Sequence, residues 1–254
     1  GFLACGEEGS GRLPDAEVIL EHACRLLTPP TLRGRRVLVS AGPTWEPLDP
    51  VRFITNPSSG KMGYAVARVA ARRSAEVTLV SGPTVLQAPP GVSMIRVRTA
   101  REMEQVVLQQ APAMDVVIMT AAVGDYRPAF EAPQKIKKDG SEELVLHLVK
   151  NPDILASLGR ARSPGVLPVL VGFAAETENL LENAHEKLIR KNLDFIVAND
   201  LTEPGAGFGA DTNRVKLVQR SGAVEELPTL SKEEVAEKIL DCVESNLAQS
   251  TARP

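Results

Sequence analysis

At 254 residues, with 43% hydrophobic and 24% charged residues, the chain has the composition of a globular enzyme and is long enough for a sizeable core. A formal net charge of −3 argues against a nucleic-acid binder, and no apolar run reaches the ~20 residues that cross a bilayer. Cys5, Cys24 and Cys242 are widely spaced, with no CxxC pair. They suggest neither a zinc site nor a disulfide framework and fit a reduced, cytoplasmic setting without a signal peptide.

In chain order, residues 1–34 read as a separate piece ending in the linker Thr28-Pro29-Pro30. From residue 35 onward short apolar runs alternate with helical patterns. Strands are expected at 36–40, 76–81, 115–120, 166–173 and 194–198, and helices at 61–73, 99–111, 152–162 and 178–192. Uninterrupted apolar strands separated by helices predict an α/β fold: a Rossmann-like, mostly parallel sheet with helices on both faces. VLVSAGPT at 37–44 is echoed by VTLVSGPT at 77–84, each a strand followed by a Ser/Gly/Pro/Thr turn. Ligands in such sheets bind outside the carboxyl ends of the strands.

Two segments break the alternation. Residues 130–150 alternate around Leu144, Leu146 and Leu148 after Lys135-Ile136-Lys137-Lys138, and Asp139-Gly140 signals a hairpin turn, which predicts an antiparallel flap. A second hairpin is expected over 213–228. The last helix, about 231–247, opens on Ser231 with Glu234 three residues on, a capping-box pattern.

The most informative stretch is 37–63, VLVSAGPTWEPLDPVRFITNPSSGKMG. Gly42 closes its strand, and Ser58, Ser59, Gly60 and Gly63 open an alanine-rich helix. Free backbone N–H groups and the helix dipole there suit a phosphate. It is not a Walker A loop, because Thr55 stands at the first Gly and Met62 follows Lys61; nor is it a dinucleotide fingerprint, since Ser58 replaces the first Gly.

Asp125, after the strand at 115–120, would suit a magnesium ligand beside a polyphosphate, and a turn or cap role fits the spacing equally well. Lys135, Lys137 and Lys138 in a flap could offset triphosphate charge, or simply guard an edge strand. Asn151-Pro152-Asp153 reads as a helix start with Asn at the cap and Pro at the first helical position. Lys187, Arg190 and Lys191 share a helix face that structure alone would leave solvated. His22, His147 and His185 are scattered, and no Ser-His-Asp or Cys-His arrangement argues for a protein nucleophile. Chemistry that needs only positioning, a metal and cations is compatible with these residues.

SAGPTWEPLDPVRFITNPSSGKMG, AAVGDYRP, KIKK, KNPDI, GFAAET, RKNLDFIVAND and GFGADTN occur in this order. Over about residues 35–245 the sequence resembles the bacterial phosphopantothenoylcysteine synthetase family, the ligase half of the bifunctional proteins of coenzyme A biosynthesis. The opening Gly1–Arg12 is similar to the closing flap of the partner decarboxylase. The resemblance thus implies a decarboxylase remnant and linker at 1–34 and a ligase domain at 35–254. It implies CTP-dependent joining of 4′-phosphopantothenate to cysteine through an acyl-cytidylate, with magnesium and as a homodimer.

By motif, the resemblance implies that Asn56 polarises the acyl-cytidylate and that Lys135 stabilises the transferring phosphoryl group. Asp125 would contact CTP and its metal. Met119, Thr120, Ala121, Pro152, Asp153, Ile154 and Leu155 would hold the nucleotide, with Phe173, Lys187 and Lys191 as further contacts. Arg52, Asn56, Ala121 and Ala122 would lie near the phosphopantothenate. Cys5 would be the decarboxylase proton donor only in the complete protein, whose FMN pocket is missing here. The sequence departs from the family pattern at Trp45, usually Arg or polar, at Gly124, commonly Ala, and at Leu13, usually Met. The runner-up expectation is a nicotinamide-dependent oxidoreductase on the same fold, and a third is a non-catalytic nucleotide-binding regulator.

Overall fold

The computed structural model describes Gly6 and residues 13–137, 143–162, 166–176, 179–200 and 210–251. Eight strands form the central sheet: β1 (Arg36–Ala41), β2 (Glu76–Ser81), β3 (Val92–Arg96), β4 (Val116–Met119), β5 (Val169–Glu176), β6 (Phe195–Asp200), β7 (Val215–Gln219) and β8 (Val224–Glu226). Their spatial order is β3-β2-β1-β4-β5-β6-β7-β8, the first six parallel and the last two antiparallel. The order reverses between β1 and β4, so the switch point lies there.

The five expected strands are present within a few residues, and β5 begins later and runs further than the apolar pattern suggests. The strand β3 is an addition. It lies at the sheet edge and is only half-buried, so it lacks the apolar run that marks the interior strands. The other edge ends in the hairpin expected over 213–228, its strands Val215–Gln219 and Val224–Glu226 turned at Gly222 with φ +89°.

Alternate residues of each strand face opposite sides. On one side Val37, Val39, Val77, Leu79, Ile118 and Val197 pack against α2 (Lys61–Arg72) and α6 (Lys232–Thr251). On the other, Leu38, Val80, Val117, Leu170 and Ile196 pack against α3 (Ala100–Gln110), α4 (Ile154–Arg160) and α5 (Leu180–Arg190). Burial on both faces is why the strands read as continuous apolar runs. The capping box of α6 forms: Glu234 N–H donates to Ser231 Oγ at 3.2 Å, and Ser231 N–H donates to Glu234 Oε2 at 2.8 Å.

The repeated turns after β1 and β2 meet because these strands are paired in register, Ala41 beside Ser81. A side chain on Gly82 would lie 1.7 Å from the Pro43 carbonyl oxygen, so the second turn needs glycine to approach the first.

The helix α1 (Ala16–Leu27) has no buried residue, whereas Leu32, just after the Pro-Pro segment, is fully buried in the core. Glu21 ties α1 to the body through Arg72 Nη2 at 2.6 Å.

Three short ladders flank the main sheet: Trp45–Pro47 with Phe53–Thr55, Tyr126–Pro128 with Leu148–Lys150, and Thr212–Asn213 with Leu230–Ser231. The second is the base of the expected flap. It begins earlier than the alternation suggested, and Leu144 and Leu146 are exposed outside any strand. The Asp139-Gly140 turn lies outside the described residues.

Candidate functional site

A cleft of about 680 Å³ opens beside the switch point, at the carboxyl ends of β4 and β5. Its walls come from the loop after Phe53–Thr55 (Asn56, Pro57), the segment 119–126 after β4, Lys150–Leu155, Phe173 on β5, and Lys187 and Lys191 at the end of α5. Its lining carries three lysines, Lys150, Lys187 and Lys191, and two aspartates, Asp125 and Asp153.

The 121–124 wall is held from below by the turn after β1. Ala122 N–H donates to the Gly42 carbonyl at 2.9 Å, and Gly124 N–H donates to Thr44 Oγ1 at 3.0 Å. Asn56 Nδ2 donates to the carbonyls of Ala122 and Val123, both at 3.3 Å. With its nitrogen committed to the wall, the amide oxygen of Asn56 is the atom left to meet a ligand.

The opposite wall corrects the expected helix start. Asp153, not Asn151, caps α4: its Oδ1 accepts the Ala156 N–H at 3.0 Å. Asn151 is occupied elsewhere, since its Nδ2 donates to the Gly124 carbonyl at 2.8 Å and its N–H to the Asp125 carbonyl at 2.8 Å. The helix therefore begins at Ile154, two residues later than the pattern indicates. Asp153 also pairs with Lys191 Nζ, at 3.0 Å from Oδ1 and 2.9 Å from Oδ2. Burial opposes ionisation of Asp153, but the hydrogen bonds from Lys191 and Ala156 and the charges of Lys191 and Arg190 outweigh it and lower its pKa.

Of the residues singled out in the sequence, Asn56, Met119, Ala121, Ala122, Asp125, Pro152, Asp153, Ile154, Leu155, Phe173, Lys187 and Lys191 line this one cleft. Others are turned to different tasks. Thr120 Oγ1 donates to the Ser40 carbonyl at 2.5 Å. Gly42, Ser58, Ser59, Gly60 and Gly63 are absent from the lining. Gly60 caps α2 at φ +79°, and Thr84 Cγ2 from the neighbouring turn lies 2.8 Å from where its Cβ would be, so that space is filled by the protein. Lys61 pairs with Asp211 at 2.6 Å.

Arg52 and the exposed Lys135 also lie outside the lining. Cys5 and Lys138 are outside the described residues. Tyr126, Lys150 and Asn151 line the cleft but were not singled out as ligands. Their position directly before Pro152, or just after Asp125, was the available signal.

Among the described residues no group of three or more His, Cys, Asp or Glu side chains converges as a metal site. Asp125 is a single carboxylate on the cleft wall, a donor set that fits a magnesium ion drawing its other ligands from phosphate oxygens and water. Among the same residues, no helix is long and apolar enough to cross a membrane.

Fold and cleft together define a doubly wound α/β domain with a lysine-bearing cleft beside its switch point. Residues 32–247 match the family model described as DNA/pantothenate metabolism flavoprotein C-terminal domain. The chain is 47% identical over 244 residues to the coenzyme A biosynthesis bifunctional protein CoaBC of Escherichia coli K12, covering 95% of this chain and 59% of that protein. It is 46% identical over 245 residues to CoaBC of Bacillus subtilis 168, covering 94% and 59%. A crystal structure of the C-terminal domain of CoaBC superposes with a TM-score of 0.74 at 45% identity, covering 86% of this chain and 98% of that one.

The chain belongs to the DNA/pantothenate metabolism flavoprotein C-terminal domain family, and the two relatives above are CoaBC proteins. It spans 59% of the length of these two relatives.

Proposed function

We propose that the chain is a CTP-dependent phosphopantothenate–cysteine ligase. The carboxylate of 4′-phosphopantothenate attacks the α-phosphorus of CTP, and pyrophosphate leaves. The cysteine amine then attacks the acyl carbon of the cytidylate, losing a proton as CMP departs and the amide forms. The observation that carries this reading is the convergence of Asn56, Asp125, Phe173, Lys187, Lys191 and the 152–155 helix start in one cleft. Family membership supports it.

In this reading the backbone of Met119–Ala121 and of Pro152–Leu155 holds the nucleotide, and Lys187 and Lys191 offset phosphate charge where it develops. Magnesium at Asp125 would neutralise triphosphate charge and orient the leaving pyrophosphate. To polarise the acyl group, Asn56 Nδ2 would have to turn from one of the two wall carbonyls to which it donates. Lys135 is exposed in the flap segment beyond Pro128, so its role requires that segment to approach the cleft. Arg52, Asn56, Ala121 and Ala122 would meet the pantothenate moiety. A homodimer, a cytoplasmic location and a decarboxylase domain carrying FMN and using Cys5 in the complete polypeptide belong to the same proposal.

The test is pyrophosphate release from the purified chain with CTP, magnesium and 4′-phosphopantothenate. CMP and amide should follow only when cysteine is added. No release with any triphosphate would overturn the reading, and binding of a nicotinamide dinucleotide would then favour the oxidoreductase alternative. Asn56→Ala should slow amide formation and let the acyl-cytidylate accumulate in quenched samples; unchanged amide yield would remove that role. Lys135→Gln should cut turnover by about 100-fold, the size expected for one lost charge-stabilising donor, and full CTP turnover in this variant would remove that role for Lys135.

A further inference from the structure

The two proposed cations that lie outside the cleft lining are linked by one buried carboxylate. Asp49 is fully buried. Its Oδ1 accepts the N–H groups of Val51 and Arg52, both at 2.9 Å, which closes the loop before Phe53. Its Oδ2 accepts Arg52 Nε at 2.9 Å, Arg52 Nη2, and the backbone N–H of Ile136 at 3.1 Å. Arg52 Nη2 in turn donates to the Ile136 carbonyl at 2.7 Å. Ile136 is thereby gripped at both its N–H and its C=O, one residue after Lys135. A separate bond, Ala132 N–H to the Leu48 carbonyl at 2.9 Å, runs between the same two segments without using Asp49.

A buried carboxylate away from the cleft has no reacting atom to touch, yet it decides where two cations stand. Shells of this kind set reacting geometry, and small displacements are costly. The Arg52 hydrogen bond, against burial and with the bonds from Val51, Ile136 and Arg52, holds the Asp49 carboxyl far below the usual range, so it is ionised at neutral pH.

We propose that Asp49 is a positioning residue that locks Arg52 and Lys135 into one mutual geometry, so that the loop 49–52 and the flap segment around Ile136 act as a unit. What the two cations do rests on the ligase reading; the lock itself does not.

Asp49→Asn keeps the volume but sets an amide nitrogen against one set of donors. The first readout is amide hydrogen exchange in the full chain without ligand. Exchange at 132–137 should rise in Asp49→Asn. It should also rise in Arg52→Gln, which leaves the Asp49 bonds to the Val51 and Arg52 N–H groups in place and so decides the matter if the first variant fails to fold. The second readout is pyrophosphate release, where Asp49→Asn should lower kcat about 10- to 100-fold with little change in the KM for CTP. The double variant should then be no slower than Arg52→Gln alone, because both changes break one unit.

Unchanged exchange at 132–137 in both variants, or multiplicative losses in the double variant, would overturn the proposal. A wild-type chain that releases no pyrophosphate would overturn the ligase reading instead, with the exchange data still deciding the lock.

Discussion

Asp153 serves two structures at once, as the cap of α4 and as the partner of Lys191. Its pKa is depressed in the folded chain, so its ionised form adds stability above the ordinary carboxylate range. That contribution is lost as the pH falls through the folded value, from about pH 4 downward. Asparagine caps helices as well as aspartate does, so Asp153→Asn should spare the cap and remove only the ion pair. The melting temperature of the wild type should therefore fall more steeply between pH 5 and pH 3 than that of the variant, in scans at about equal salt. Parallel curves would mean that the Lys191 pair contributes nothing to the acid response. The Trp45 departure also has a local account: its ring stacks on Phe53 across the short ladder, centroids 4.1 Å apart and 11° from parallel.

At the scale of elements, close packing of α2 on the sheet explains Gly63, while the loop around Gly124 leaves room for a side chain. A Cβ on Gly63 would sit 2.4 Å from Thr120 Oγ1 and 2.6 Å from the Ala41 Cβ. Alanine in a helix interior ordinarily gains about 0.5–1 kcal/mol over glycine, but here α2 would be pushed off β1. Gly63→Ala should cost about 1–3 kcal/mol in denaturant unfolding, the usual range for overpacking. At Gly124 the nearest atoms to an added Cβ are 3.5 and 3.6 Å away, ordinary contact distances. Gly124→Ala should stay within about 0.5 kcal/mol of wild type, so this departure from the family pattern is sterically neutral. A neutral Gly63→Ala would show that the helix can slide.

On the scale of the whole molecule, the sheet is covered on both sides and Leu32 is the first buried apolar residue among the described residues, while α1 buries none of its own. Leu32→Ala should destabilise by about 2–5 kcal/mol, as buried leucines do. Deleting residues 1–30 removes the Glu21–Arg72 pair but no buried apolar side chain from α1, and Arg72 keeps Glu233 as a partner. The deletion should lower the melting temperature by less than Leu32→Ala does; the reverse order would place α1 inside the cooperative unit.

What the sequence by itself determined follows from forces acting over a few residues. Strands buried on both faces had to be continuously apolar, and Ser231 and Glu234 needed only one helical turn to find each other. The ordered motifs around Asn56, Asp125 and Asn151-Pro152-Asp153 likewise marked the chain segments that form the cleft. Tertiary structure alone decided how those segments are used. The register of β1 on β2 brings Thr84 Cγ2 against Gly42 and Gly60, and Asn151 is drawn to the 124–125 loop, leaving the cap to Asp153. The edge strand β3 exists because β2 supplies its hydrogen-bonding partner, not because its own residues demand burial. The joining of Asp49 to Ile136 spans 87 positions in the chain, a contact no local pattern encodes.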